Sequence, residues 1–143
     1  MSRFNAKTLQ VLRQAGWHPN RRTDIAAIAT RAAACGYEIG ENVRAFVREF
    51  DGLSVGYPDG NFLFEFRARS EYCSREWFLE IANMIGENGL VVGSTPAVFL
   101  IVAESGRMYG YCDDIGETYL VSACMDEGVE FVCRRGNPFR HPL

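Results

Sequence analysis

The hydrophobic residues of this chain change their spacing part-way along it, and that change restricts the folds open to it. Up to Phe50 they recur at helical intervals: Leu9 and Leu12 within about residues 5–15, then Ile25, Ile28, Ala29 and Ala32, then Val43, Phe46, Val47 and Phe50. Positions i, i+3, i+4 and i+7 fall on one side of a 3.6-residue helix, so each stretch predicts an amphipathic helix that needs an apolar surface to lie on. Gly16, Gly36 and Asp51-Gly52 close the three stretches, glycine being the residue that most easily takes the left-handed conformation ending a helix. After Pro58-Asp59-Gly60 the spacing drops to two, with Phe62, Phe64 and Phe66 alternating with Leu63 and Glu65. That is a strand following a tight turn.

The remaining sequence extends the mixed pattern. Ser74 can cap a fourth helix over residues 75–85, with Phe78, Ile81, Ala82 and Ile85 as its stripe, Trp77 widening it and Gly86 at its end. Gly89 to Gly93, the apolar run from Ala97 to Ala103, the turn Ser105-Gly106 and Arg107 to Cys112 read as strands with at least one hairpin. Residues 117–121 suggest another strand, and Met125, Val129, Val132 and Cys133 restore helical spacing up to Gly136, although Gly128 weakens that helix. With no repeat, linker or low-complexity tract, the 143 residues are expected to form one domain. The expected class is α+β, with N-terminal amphipathic helices packed on a mainly antiparallel sheet and a C-terminal helix.

Charge narrows the partners. The net charge of −3 divides unevenly: residues 1–70 carry ten Lys/Arg against seven Asp/Glu, and residues 71–143 five against eleven. An acidic second half suits a basic partner and disfavours binding driven by nucleic-acid phosphates. No apolar run approaches the ~20 residues of a membrane span, and the start MSRFNAKTLQ lacks the apolar stretch of a signal peptide, so a cytoplasmic location is expected. The five cysteines form no C-x-x-C pair and read as buried free thiols, with no metal or cofactor implied.

Several segments imitate catalytic motifs. Gly52-Leu53-Ser54-Val55-Gly56 spells the G-x-S-x-G of a nucleophile elbow, and Asp113 and His141 follow in the matching order. An elbow needs a strand before the serine and a helix after it, whereas here a helix precedes and a strand follows. The other histidine, His18, is no better placed as a base, and Asp113, Asp114 and Glu117 lack the spacing of a calcium loop. No phosphate-cradling glycine motif occurs.

The stretch Gly16-Trp17-His18-Pro19-Asn20-Arg21-Arg22-Thr23-Asp24 reads as a joint between helices. Gly16 ends one helix, Trp17 fills the junction, Pro19 holds His18 extended, and Asp24 caps the next. Arg21 and Arg22 are expected to reach Asp24 or the carbonyls ending the first helix, the other reading being contact with a partner.

Through these residues the chain resembles the SUKH superfamily, specifically its third subgroup of bacterial immunity proteins. The carrying residues are Ala15-Gly16-Trp17, Pro19, Arg21 and Asp24, then Phe50-Asp51-Gly52-Leu53, Gly89-Leu90-Val91-Val92-Gly93 and Ser105-Gly106-Arg107-Met108-Tyr109, over about residues 8–136. Asp51 stands where that family tends to have a second glycine, and Val91 where it tends to have a proline. The resemblance implies a domain that binds and blocks a cognate toxin of a polymorphic or contact-dependent system, with no catalytic residues. Members of the superfamily also resemble regulatory or scaffold domains, which is the second reading.

A toxin that is a nuclease or deaminase would present a basic channel, to which an acidic surface is complementary. The candidate partner surface is Asp113, Asp114, Glu117, Asp126, Glu127 and Glu130, with Tyr109, Tyr111 and Tyr119 as aromatic anchors.

Overall fold

The structure, a computed structural model, describes residues 3–57, 60–66, 74–95, 98–112 and 115–134. Among them the elements run α1 (Ala6–Gln14), α2 (Ala26–Ala34), α3 (Glu41–Phe50), β1 (Ser54–Tyr57), β2 (Gly60–Leu63), α4 (Arg75–Ile85), β3 (Gly89–Ser94), β4 (Val98–Ala103), β5 (Met108–Cys112), β6 (Glu117–Ser122) and α5 (Met125–Arg134). The strands form one antiparallel meander in chain order, β1 to β6. The fold is α+β, as the two spacings predict.

Local chemistry fixes the helix ends. Asn5 Oδ1 accepts the Thr8 N–H at 2.8 Å to cap α1, and Ser74 Oγ accepts the Trp77 N–H at 3.0 Å to cap α4. α1 and α2 close in the same way. Gly16 and Gly36 take positive φ (105° and 91°), and the following aromatic residue donates its N–H back to the turn, Trp17 to Leu12 O and Tyr37 to Ala32 O, each at 2.9 Å. This double-bonded ending places a buried aromatic ring just beyond each helix. α2 begins at Ala26, two residues later than the sequence suggests; Asp24 still serves it, its Oδ1 accepting the Ala26 N–H at 2.9 Å.

Helices cover both faces of the sheet. On one face Leu12, Trp17, Ile25, Val43, Phe46 and Phe50 meet Val55, Phe62, Phe64, Leu90, Leu100, Val102 and Met108, with Val129 and Val132 of α5. On the other, Trp77 and Ile81 of α4 pack on Val91, Phe99, Ile101 and Tyr111. Every residue of β3 and β4 is buried, as expected of strands covered on both sides. A bulge between Val91 and Gly93 adjusts the β3–β4 register.

Close approaches explain the glycines inside elements. A Cβ at Gly93 would lie 2.7 Å from the Phe62 ring and 2.8 Å from the Leu63 carbonyl oxygen. Gly110 makes the same kind of room for the Tyr119 ring. Gly128, unfavourable for a helix in sequence terms, lets α5 settle on Met108 and Ser122.

Candidate functional site

The stretch from Gly16 to Asp24 docks on the C-terminal end of α3. Helix α3 leaves its last carbonyls without intrahelical partners. The Arg21 guanidinium donates from Nη1 to Glu49 O at 2.6 Å and from Nη2 to Asp51 O at 2.8 Å, and Thr23 donates its N–H to Arg48 O at 2.8 Å. This corrects the sequence expectation for Arg21: the carbonyls it serves end the third helix, not the first. The reason is tertiary, because the connection folds back across α3 before α2 begins.

Gly52, at φ 92°, passes beneath that guanidinium; a Cβ there would sit 3.5 Å from Arg21 Nη2. Leu53 is buried and reaches the end of α1, its Cδ2 lying 3.8 Å from a Cβ built on Gly16. Asp51 needs no left-handed backbone, having φ −59° and ψ 135°, and its Oδ1 accepts the Phe66 N–H at 3.2 Å. Burial raises the Asp51 pKa, against the lowering effect of the Phe66 N–H and, more weakly, of Arg21. Gly16, Trp17, Arg21, Gly52 and Leu53, separated by up to 37 positions in the chain, thus meet near the end of α3, while Asp24 caps the start of α2. Pro19 lies exposed on the outer side of the connection, Gly106 turns the β4–β5 hairpin at φ 91°, and Gly93 sits under Phe62.

A carboxylate that sequence reasoning missed joins this region to the C-terminal helix. Glu49 accepts from Trp17 Nε1 at 3.0 Å and from Arg3 Nη1 at 2.8 Å, and Arg3 Nη2 also donates to Asp126 Oδ1 at 2.6 Å. The hydrogen bond to Asp126, then the contacts to Glu49, hold the Arg3 guanidinium well above its ordinary pKa despite partial burial. No local signal predicts this network, since its members are 46 and 123 positions apart.

The candidate partner residues that the structure describes have different surroundings. Asp113 and Asp114 lie outside the described residues. Asp126 is engaged by Arg3, and Glu130 Oε2 accepts the Asn5 N–H at 2.9 Å, so both face the start of the chain. Glu127 and Glu117 are exposed. Tyr111 is only 7% exposed, stacked on Phe99 and edge-on to Trp77 beneath α4. Tyr109 is half-buried on that same face, whereas Tyr119 packs against the opposite core, where burial raises its pKa.

Two exposed apolar residues lie along the edge formed by β6 among the described residues: Ile115, 58% exposed, just before the strand, and Leu120, 56% exposed, within it and on the sheet face opposite to that of Glu117. Leu120 pairs across the strands with Tyr109. Their only sequence signal is that an outward position of a predicted strand holds leucine.

The imitations of catalytic motifs are also resolved. Ser54 lies exposed inside β1, so no strand-to-helix turn carries it. His18 is exposed with Nδ1 2.9 Å from Pro19 O, and His141 lies outside the described residues. Of the described cysteines only Cys133 is buried, its thiol pushed up to about 12 by burial; Cys35 and Cys112 are half-buried and Cys124 is exposed, so burial does not extend to all the free thiols. Among the described residues no group of His, Cys, Asp and Glu side chains could hold a metal ion.

The comparison with protein families is decisive at this point: the model of the SUKH-3 immunity protein family matches residues 4–134. The chain belongs to that family. No curated protein and no solved structure matches it. The SUKH-3 match spans every element from α1 to α5 and includes Arg3's partners as well as the α3 junction. Among the described residues no helix is long and apolar enough to cross a membrane.

Proposed function

We propose that this SUKH-3 chain binds a cognate toxin in the cytosol and neutralises it by covering its working surface, without turnover of its own. Family membership supports the immunity role. The observation that carries the location is the β6 edge, where Leu120 and Glu117 are exposed on its two faces and Ile115 just before it, with Tyr109 half-buried across from Leu120. Exposed leucine and isoleucine supply apolar anchors, and exposed acids steer a basic partner. Glu127, exposed near the start of α5, joins the proposed surface for its charge, as do Asp113 and Asp114, which lie outside the described residues; Asp126 and Glu130 are turned towards Arg3 and Asn5. A toxin with a basic nucleic-acid channel, a nuclease or deaminase, is the partner this chemistry fits best.

The test pairs the chain with the toxin encoded beside it. Co-expression should rescue growth, and the purified proteins should form a one-to-one complex. Leu120→Asp should weaken that complex about tenfold or more, and Glu117→Lys should slow association several-fold at low salt and less at high salt. Association unchanged by both substitutions across a salt series would remove the β6 edge from the interface. Lack of rescue by the native chain would overturn the immunity role and favour the scaffold reading.

A further inference from the structure

A second surface, on the opposite chemistry, lies beside the α3 junction. A concavity of about 370 Å³ opens there, lined by Asn20, Arg21, Arg22, Arg48, Glu49 and Arg3 together with Ala45. Its described lining carries four guanidinium groups against the Glu49 carboxylate, in a chain whose net charge is −3. Two of the four are committed: Arg3 to Glu49 and Asp126, and Arg21 to the carbonyls of Glu49 and Asp51. The side chains of Arg22, exposed, and Arg48, half-buried, have no hydrogen bond or ion pair to another described residue.

The end of α3 is the negative end of its dipole, which by itself would repel an anion. Arg21 offsets that by occupying the terminal carbonyls, so the positive charge of Arg22 and Arg48 is left for an incoming group. Guanidinium forks match carboxylates in two-point hydrogen bonds. The concavity has room for a few side chains.

We propose that this concavity docks a carboxylate side chain of the chain's protein partner, held between Arg22 and Arg48. With the acidic β6 edge it would make the interface two-signed, so that a toxin must present both a basic surface and an acidic side chain at a fixed separation. The partner's being a protein rests on the immunity reading; the anion chemistry does not, and it is tested on the isolated chain.

The probe is the peptide acetyl-Glu-Asp-Glu-amide, titrated into the full chain at low salt while the arginine Nε–H signals are followed by NMR. Saturable shifts at Arg22 and Arg48 are expected, with affinity reduced about tenfold or more in an Arg22→Gln, Arg48→Gln double variant whose melting temperature is unchanged. If the double variant melts lower, the single Arg22→Gln variant, altering an exposed side chain, must still weaken peptide binding several-fold. The proposal is overturned by no saturable shift, by shifts that persist in the folded variants, or by inorganic phosphate binding as tightly as the peptide. Self-association of the free chain that vanishes in the variant would also overturn it, by making a second copy the occupant. Loss of peptide binding alongside an unweakened toxin complex would overturn the docking of the partner there and leave the immunity role standing.

Discussion

Replacing Trp17 separates its packing from its polar contact. The side chain is 7% exposed, meets the Phe4 ring edge-on at 5.9 Å, and donates Nε1–H to Glu49 at 3.0 Å. A tryptophan of this kind buries about 150–250 Å², which at ~25 cal/mol per Å² corresponds to about 4–6 kcal/mol as an upper bound. Trp17→Ala should therefore cost about 3–5 kcal/mol, the cavity adding to the lost transfer term while alanine retains part of it. Trp17→Phe keeps the edge contact and loses the Nε1–H bond; because Arg3 still satisfies Glu49, its cost should be nearer 1–2 kcal/mol, about the value of one hydrogen bond to a charged acceptor. Each kcal/mol moves the melting temperature by roughly 4 °C at this chain length, so the alanine variant should melt about 12–20 °C lower. Urea and thermal unfolding followed by far-ultraviolet circular dichroism measure both variants, since Trp77 would confuse fluorescence. An alanine variant within 0.5 kcal/mol of the native chain, or a phenylalanine variant as unstable as alanine, would refute the account of the junction. At temperatures where it stays folded, the alanine variant should bind the toxin as the native chain does.

Gly93→Ala should cost about 1–3 kcal/mol, because the new methyl meets the buried Phe62 ring and a backbone oxygen that cannot step aside; Gly56→Ala, whose methyl would find only Asn61 Oδ1 at 3.7 Å, is the control and should be neutral by the same unfolding assay. Asp51 is predicted to make stability depend on pH: burial raises its folded pKa above the ordinary 3.8, so the folded chain holds the proton longer than the unfolded one. Its contribution is then most favourable below that ordinary value and declines as pH rises through the folded pKa. Asp51→Asn, whose Oδ1 still accepts the Phe66 N–H, should remove this decline without loss of stability at pH 7; an unchanged pH profile in urea unfolding would contradict it.

The elements were legible locally. Ser74, Asp24 and the glycines at 16, 36 and 86 announce helix ends because caps act over two to four residues, and the change of apolar spacing announces the sheet; the Asn5 cap of α1 came only from the structure. β1 was not anticipated as a partner for the Phe62 strand, since its Ser54-Val55-Gly56 pattern is too short to declare a period. The candidate site was less legible: the acids were found by composition, but their orientation follows from what they face. Asp126 and Glu130 turn towards Arg3 and the Asn5 N–H, while Glu117 stays outside with Leu120 and Ile115.

By itself the sequence determined the α+β class, the helices and every strand but β1 to within a few residues, and the family, because periodicity, capping and ordered motifs are properties of neighbouring positions. Only the tertiary structure decided that α4 covers the opposite face of the sheet, that Arg21 closes the end of α3, and that Glu49 links Trp17 to Arg3 and so to α5. These contacts join residues dozens of positions apart, and an apolar stripe or a guanidinium specifies the kind of partner it needs without specifying which one the folded chain will bring to it.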